Sequence, residues 1–234
     1  MTGVQTCALP IFELVERDAA ALWWLAGRPP RAVALSTPGH DAVMAGLAAM
    51  REGRTTRQTR LLDITTDLGV PVIAAVSTDR AGRGLAVGIA ARLNLADAAH
   101  AALREMGQME LSAAIASAKR TESGDHALNE ADRRHLARAA FDASGCGLLQ
   151  PDGSRAAPAV DQPGQGGSVL AALAPYGLSI CTIDITRKGI DVPVVRAVCP
   201  DLQPFCETAI TPRMAKAWAS HGGGRREHGG IMPF

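Results

Sequence analysis

Aromatic side chains are scarce in this chain, with one Tyr, three Trp and four Phe among 234 residues. Neither sign of charge is in excess, since 24 Lys and Arg against 23 Asp and Glu leave a net charge of +1. A nucleic-acid partner held through its phosphates needs a basic surface, so none is expected. No apolar run approaches the roughly 18 residues needed to cross a bilayer, so no membrane span is expected either. The first eleven residues have neither the charged start nor the apolar run of a signal peptide, and the expected location is the cytoplasm. No Gly-x-Gly-x-x-Gly or Gly-x-x-x-x-Gly-Lys-Ser/Thr occurs, which removes the common dinucleotide and phosphate loops. Arg80-Ala81-Gly82-Arg83-Gly84 is glycine-rich but precedes a strand, and reads as a turn. Cys-x-x-Cys pairs are missing too. Cys146, Cys181, Cys199 and Cys206 are therefore expected as free thiols without metal, with Cys181 and Cys199 as small core residues in β-like runs.

What is present suffices for a core, with 47% of residues hydrophobic and 20% charged. Thr2 to Ile11 reads as the translation of a common short-read sequencing adapter. Residues 1–11 are accordingly expected to make few specific contacts, with the gene's own sequence starting at Phe12 and an earlier portion missing.

From Phe12 to about Leu25 the pattern is helical, ended by Gly27 and Pro29-Pro30. Asp41 to Arg51 reads as a second helix and Leu61 to Thr66 as a strand. Pro71 to Ser77 is a nearly continuous apolar strand of the kind a sheet buries on both sides. A turn at Asp79–Gly82 leads to a further strand from Gly84 to Ala90. Asn94 caps the longest helix, to about Lys119, and Asn129 caps a short charged helix to Ala140. Residues 145–167, rich in Gly, Pro, Gln and Ala, read as a flexible loop. Ser168 to Pro175 is helical, the strands Ser179–Thr186 and Val192–Cys199 turn at Lys188-Gly189, and a last helix spans Thr211–His221. Residues 222–234 form a glycine-rich tail, expected without order to Gly230. The order of elements gives an α+β domain over 12–221, a mainly antiparallel sheet with helices packed on one face.

Two helices carry polar residues three apart, which places them on one face. The first offers Glu13, Glu16 and the adjacent Arg17; carboxylates with a guanidinium can hold Mg²⁺ and a polyphosphate. The second offers Glu105 and Gln108. Each pattern alone also occurs on solvated helices as a charge ladder.

Glu-Leu-Val-Glu-Arg-Asp (13–18), Leu-Leu-Asp-Ile-Thr-Thr-Asp-Leu-Gly-Val-Pro-Val (61–72), Gly-Arg-Gly-Leu-Ala-Val-Gly (82–88), Ala-Leu-Arg-Glu-Met-Gly-Gln (102–108) and Asp-Ile-Thr-Arg-Lys-Gly-Ile-Asp-Val-Pro-Val-Val-Arg-Ala-Val-Cys-Pro (184–200) stand in an order and spacing that resemble the YcaO domain family. That resemblance implies an ATP- and Mg²⁺-binding fold that activates peptide backbone amides, giving azolines or thioamides in ribosomal peptide modification. It implies Glu13, Glu16 and Glu105 as metal ligands, and Arg17 and Gln108 as nucleotide contacts. Family members often carry Arg two places after the Gln, where Glu110 stands here. The implied partners are a peptide or protein substrate, a partner protein encoded nearby and a second copy in a homodimer. A portion of the family's domain is expected to be absent, leaving this chain inactive alone. The alternative is a non-catalytic subunit of the same fold that presents a peptide to a partner. On the catalytic reading the two helices pack side by side and turn the three carboxylates, Arg17 and Gln108 into one cleft.

Overall fold

The computed structural model describes residues 3–153, 167–190 and 192–233. Helix α1 (Gly3–Ala20) continues into a π-helical turn, Ala21–Leu25, and after β1 (Arg31–Ala32) comes α2 (Thr37–Arg51). Strands β2 (Arg57–Asp63), β3 (Val72–Asp79) and β4 (Ala86–Ala91) complete an antiparallel sheet in the order β1-β2-β3-β4. Helices α3 (Leu95–Ser123) and α4 (Glu130–Ala140) follow. A short α5 (Val169–Leu173) precedes a separate two-stranded ribbon, β5 (Cys181–Asp184) with β6 (Val195–Val198). Helices α6 (Pro212–His221) and α7 (Arg225–His228) close the chain.

β3 has almost no polar alternation because both of its faces are covered. Val72, Ala74 and Val76 join Val15 and Ala19 of α1, while Ile73 and Ala75 join Ala98, Ala102 and Met106 of α3. The α+β class with an antiparallel sheet holds, but helices cover both faces of the sheet, not one. α1 and α3 consequently do not lie side by side as expected; β4 stands between them. Gly88 sets the spacing on the α3 side, since a Cβ there would fall 2.2 Å from the backbone nitrogen of Met106. Only a residue without a side chain lets α3 come this close.

The ends of α3 and α4 follow from their sequences. The Asn94 side chain accepts from the Asp97 amide at 3.1 Å. Asn129 and Asp132 form a reciprocal capping box at 2.8 and 2.9 Å.

Segments expected to lack structure are partly ordered. Leu148 and Leu149, inside the expected loop, are buried, and Trp23 Nε1 donates to the Leu148 carbonyl at 2.8 Å. Residues 154–166 of that loop lie outside the described residues. The glycine-rich tail folds back onto the π-turn, where the amides of Gly223 and Gly224 donate to Ala26 and Leu25 at 3.1 and 2.9 Å. A π-turn leaves carbonyls unpaired within its own helix, and here the tail satisfies them. A Cβ on Gly224 would sit 1.8 Å from the Trp24 carbonyl oxygen, so the glycine run is needed for docking. His228 stacks on Trp24 with ring centres 4.6 Å apart, and Trp24 Nε1 donates to the Ile231 carbonyl at 2.7 Å. In the segment 1–11, backbone helix begins at Gly3; Leu9 is exposed and Ile11 buried.

Cys146 and Cys199 are buried, Cys206 is intermediate, and none of the four cysteines after residue 12 is in a disulfide. Cys181 departs from the expected core position and is exposed, because it lies on β5, every residue of which is exposed.

Candidate active site at the edge of the sheet

β4 is the last strand of its sheet, so every second backbone amide points away from β3. Two of these are taken by carboxylates arriving from opposite faces. From α1, Glu16 Oε1 accepts from the Ala91 amide at 2.7 Å; from α3, Glu105 Oε2 accepts from the Ile89 amide at 3.0 Å. Amides two residues apart along a strand are roughly 7 Å apart. The edge therefore fixes Glu16 and Glu105 as neighbours, each with its second oxygen making no hydrogen bond among the described residues.

For both carboxylates burial outweighs the one counter-charge nearby. Burial pushes Glu16 from 4.5 up to about 7, the Ala91 amide opposes this, and repulsion from Glu13 and Glu105 adds to it. Burial likewise raises Glu105, against the Ile89 amide, with Glu13 adding to the rise. The cation at hand is Arg92, which follows β4 directly. Its Nη1 stands 3.5 Å from Glu16 while donating to the Ala91 carbonyl at 2.5 Å, and its guanidinium lies 5.8 Å from the Phe12 ring centre. Neighbouring carboxylates whose pKa burial raises in spite of a guanidinium close by are a common mark of a functional site.

Glu13 lies one turn before Glu16 and acts on both carboxylates electrostatically, yet its own side chain is half exposed and pairs with Arg17, whose Nε donates at 2.7 Å. An exposed pair of this spacing is worth only about 0.3–0.5 kcal/mol, so Arg17 is readily exchanged to another anion. Gln108 is exposed one turn beyond Glu105, with no side-chain hydrogen bond among the described residues. Thus Glu16 and Glu105 are brought together, Glu13 with Arg17 borders them, and Gln108 stays at the rim. Among the described residues no group of three or more His, Cys, Asp and Glu is placed to hold a metal by itself.

Glu110, the departure noted in the sequence, faces elsewhere. Arg51 donates to its two oxygens at 2.6 and 2.8 Å and Arg57 Nε donates at 2.9 Å, tying α3 to α2 and β2. A second buried network was not legible in the sequence. Arg213 Nε donates to both oxygens of the buried Asp18 at 2.9 and 3.0 Å and its Nη atoms bind Asp67. Arg92 was also missed; a lone arginine at the end of an apolar strand was its only signal.

Beside the carboxylates opens a cleft of about 1020 Å³. One wall is α1 with Leu9, Glu13, Leu14 and Arg17, and the other is β6 with the chain that follows it. Glu13 and Arg17 line this cleft, and Glu13 also acts on the carboxylate pair.

Helices on both faces of an antiparallel sheet, with two carboxylates clamped at its free edge beside an arginine, define the fold and its candidate site. Residues 10–203 match the YcaO family, described as a cyclodehydratase binding ATP and Mg²⁺, and this chain belongs to that family. No curated protein matches the chain. Among solved structures it is similar to a heterocyclase in complex with substrate and cofactor, at 22% identity and TM-score 0.69 over 95% of this chain and 31% of the other. It is similar to YcaO from Methanopyrus kandleri bound with AMPPCP and Mg²⁺, at 23% identity and TM-score 0.52 over 82% and 50%. The E. coli microcin synthetase McbBCD complex with pro-MccB17 is 15% identical at TM-score 0.56 over 82% and 50%. The chain spans less than a third of the first of these and half of the other two.

Proposed function

We propose that this chain carries Mg²⁺–ATP-binding residues of an enzyme that activates peptide backbone amides in ribosomal peptide modification. The observation that carries this reading is the pair Glu16 and Glu105, clamped on β4 by one oxygen each, with burial raising the pKa of both. Bound Mg²⁺–ATP would supply an electrophilic γ-phosphoryl group. Glu16 and Glu105 would hold the metal through their free oxygens, and Glu13 would join them on leaving Arg17. Arg17, so released, would bind phosphate oxygens with its planar donors, and Gln108 would meet the nucleotide from the rim. Arg92 would steady Glu16. Such residues act by positioning and by neutralising charge. In the reaction so supported a nucleophile would add to the peptide carbonyl, the amide oxygen would take the γ-phosphoryl group of ATP with release of ADP, and phosphate would then depart with that oxygen. A Cys, Ser or Thr nucleophile gives an azoline and sulfide gives a thioamide. The substrate is a peptide or protein delivered with a partner protein, in a cytoplasmic setting, with a second copy as an additional partner.

Thermal unfolding with saturating AMPPCP tests this, because a ligand specific to the folded state raises Tm. The rise is expected with Mg²⁺, is lost in EDTA, and is lost in Glu16→Gln and Glu105→Gln. An equal rise in those variants would place the nucleotide elsewhere.

A further inference from the structure

The cleft beside the carboxylates is walled by a strand edge. The Ile185 amide donates to the Val194 carbonyl at 2.9 Å, which makes these two a hydrogen-bonded pair in the β5–β6 register. Alternation along an antiparallel ladder then turns the backbone groups of Arg196 and Val198 toward β5 and those of Val195 and Ala197 away from it. On that outer side no strand pairs with β6 among the described residues, and no turn, loop or side chain there hydrogen-bonds to Val195 or Ala197. Both residues are half-buried and line the cleft. A strand edge whose backbone donors and acceptors have no partner is a template for another strand.

We propose that an extended peptide completes β6 as a third strand of the ribbon, and that this peptide is the substrate. The inference rests on reading the neighbouring carboxylates as the site of amide activation. Continuity with that site selects the occupant: Glu13 and Arg17 lie on the opposite wall, so a strand laid along β6 carries its carbonyls past them. The chemistry of the cleft gives the substrate class. Recognition through Val195 and Ala197 uses the peptide backbone, which tolerates varied side chains, while Leu9, Leu14, Ile185 and Leu202 favour small or apolar ones. A folded segment, or one with proline at a hydrogen-bonding position, would not fit.

The probe is a fluorescein-labelled octapeptide alternating valine and serine, with a set of analogues N-methylated at single amides. Leaving the protein unaltered removes any doubt about folding. Fluorescence anisotropy should show saturable binding, weakened about tenfold by methylation at alternate amides and less than about twofold at those between, as a single lost hydrogen bond predicts. Hydrogen exchange should show Val195 and Ala197 protected by the peptide, with Arg196 unaffected. Absence of saturable binding, uniform sensitivity to methylation, or protection that spares Val195 and Ala197 overturns the proposal. So does protection of those two amides by self-association that the peptide cannot compete away. The nucleotide experiment separates the two readings: peptide binding of this kind without any Mg²⁺–AMPPCP effect upholds the added strand and refutes the proposed site, and the converse does the opposite.

Discussion

Glu105 and Glu110 sit five residues apart on one helix, and their surroundings drive them in opposite directions. Both are desolvated. For Glu110, hydrogen bonds from Arg51 and Ser77 and the charges of Arg57 and Arg51 overcome that burial and hold its pKa below the usual value. For Glu105 burial prevails over a single backbone amide, and the pKa rises. A carboxylate held by two guanidiniums is a structural tie that fixes α3 against α2 and β2. Glu105, held by one amide beside Glu16, makes no ion pair among the described residues and feels the Arg92 charge only as the smallest influence on it, which suits the metal-ligand role proposed for it. The lesson is that partners, more than burial, separate a carboxylate that holds the fold from one available to a ligand.

The contrast can be broken most severely at the tie. Glu110→Ala leaves Arg51 and Arg57 partly buried and unpaired, and is expected to cost about 3–4 kcal/mol in urea unfolding. A cost under about 1 kcal/mol would mean the network is solvated after all. Next comes Gly88→Ala, which drives a methyl group into the α3 backbone. It should cost about 3 kcal/mol and, by pushing Glu105 off the Ile89 amide, raise hydrogen exchange at Ile89. Unchanged exchange would show that α3 shifts as a rigid unit with its carboxylate contact intact.

The pH dependence sharpens the same comparison. Glu16 titrates in the folded chain at about 7 against 4.5 for the free side chain. Its folded pKa lies above the unfolded one, so its contribution to stability is fully present below pH 4.5 and lost as pH rises through about 7. Unfolding in EDTA should lose about 2–3 kcal/mol more across that window in the parent chain than in Glu16→Gln. Equal losses would show that Glu16 is already compensated. The smallest effect is expected from Glu105→Gln. Its amide oxygen can still accept from Ile89 without a buried charge, so stability should rise by up to about 1 kcal/mol while the Mg²⁺–nucleotide shift disappears. Destabilisation comparable to that of Glu110→Ala would make Glu105 a structural tie as well.

Much of the chain was legible from its residues. The caps at Asn94 and Asn129 bond as their side chains dictate, and the largely apolar run from Pro71 to Ser77 falls in the doubly buried strand that its lack of alternation implies. Local rules suffice there because caps and strand burial are set within a few residues. The tail misled, because its glycines suggested freedom. They instead allow close approach to a carbonyl 199 residues earlier, as in the bond from the Gly224 amide to the Leu25 carbonyl. No local pattern reports a partner at that distance.

By itself the sequence determined the α+β class, the family's motifs and the identity of Glu13, Glu16, Arg17, Glu105 and Gln108 as the candidates, since spacing of three on a helix fixes which side chains share a face. Only the tertiary structure decided which of them meet. It placed α1 and α3 on opposite faces of the sheet and joined Glu16 to Glu105 across the edge of β4. It also spent Glu13 and Arg17 on each other and gave Glu110 to Arg51 and Arg57. The physical reason is that a periodic pattern specifies a direction around one helix axis, whereas a shared site depends on the packing that sets one axis against another, here the missing side chain of Gly88 and the free amides of an edge strand.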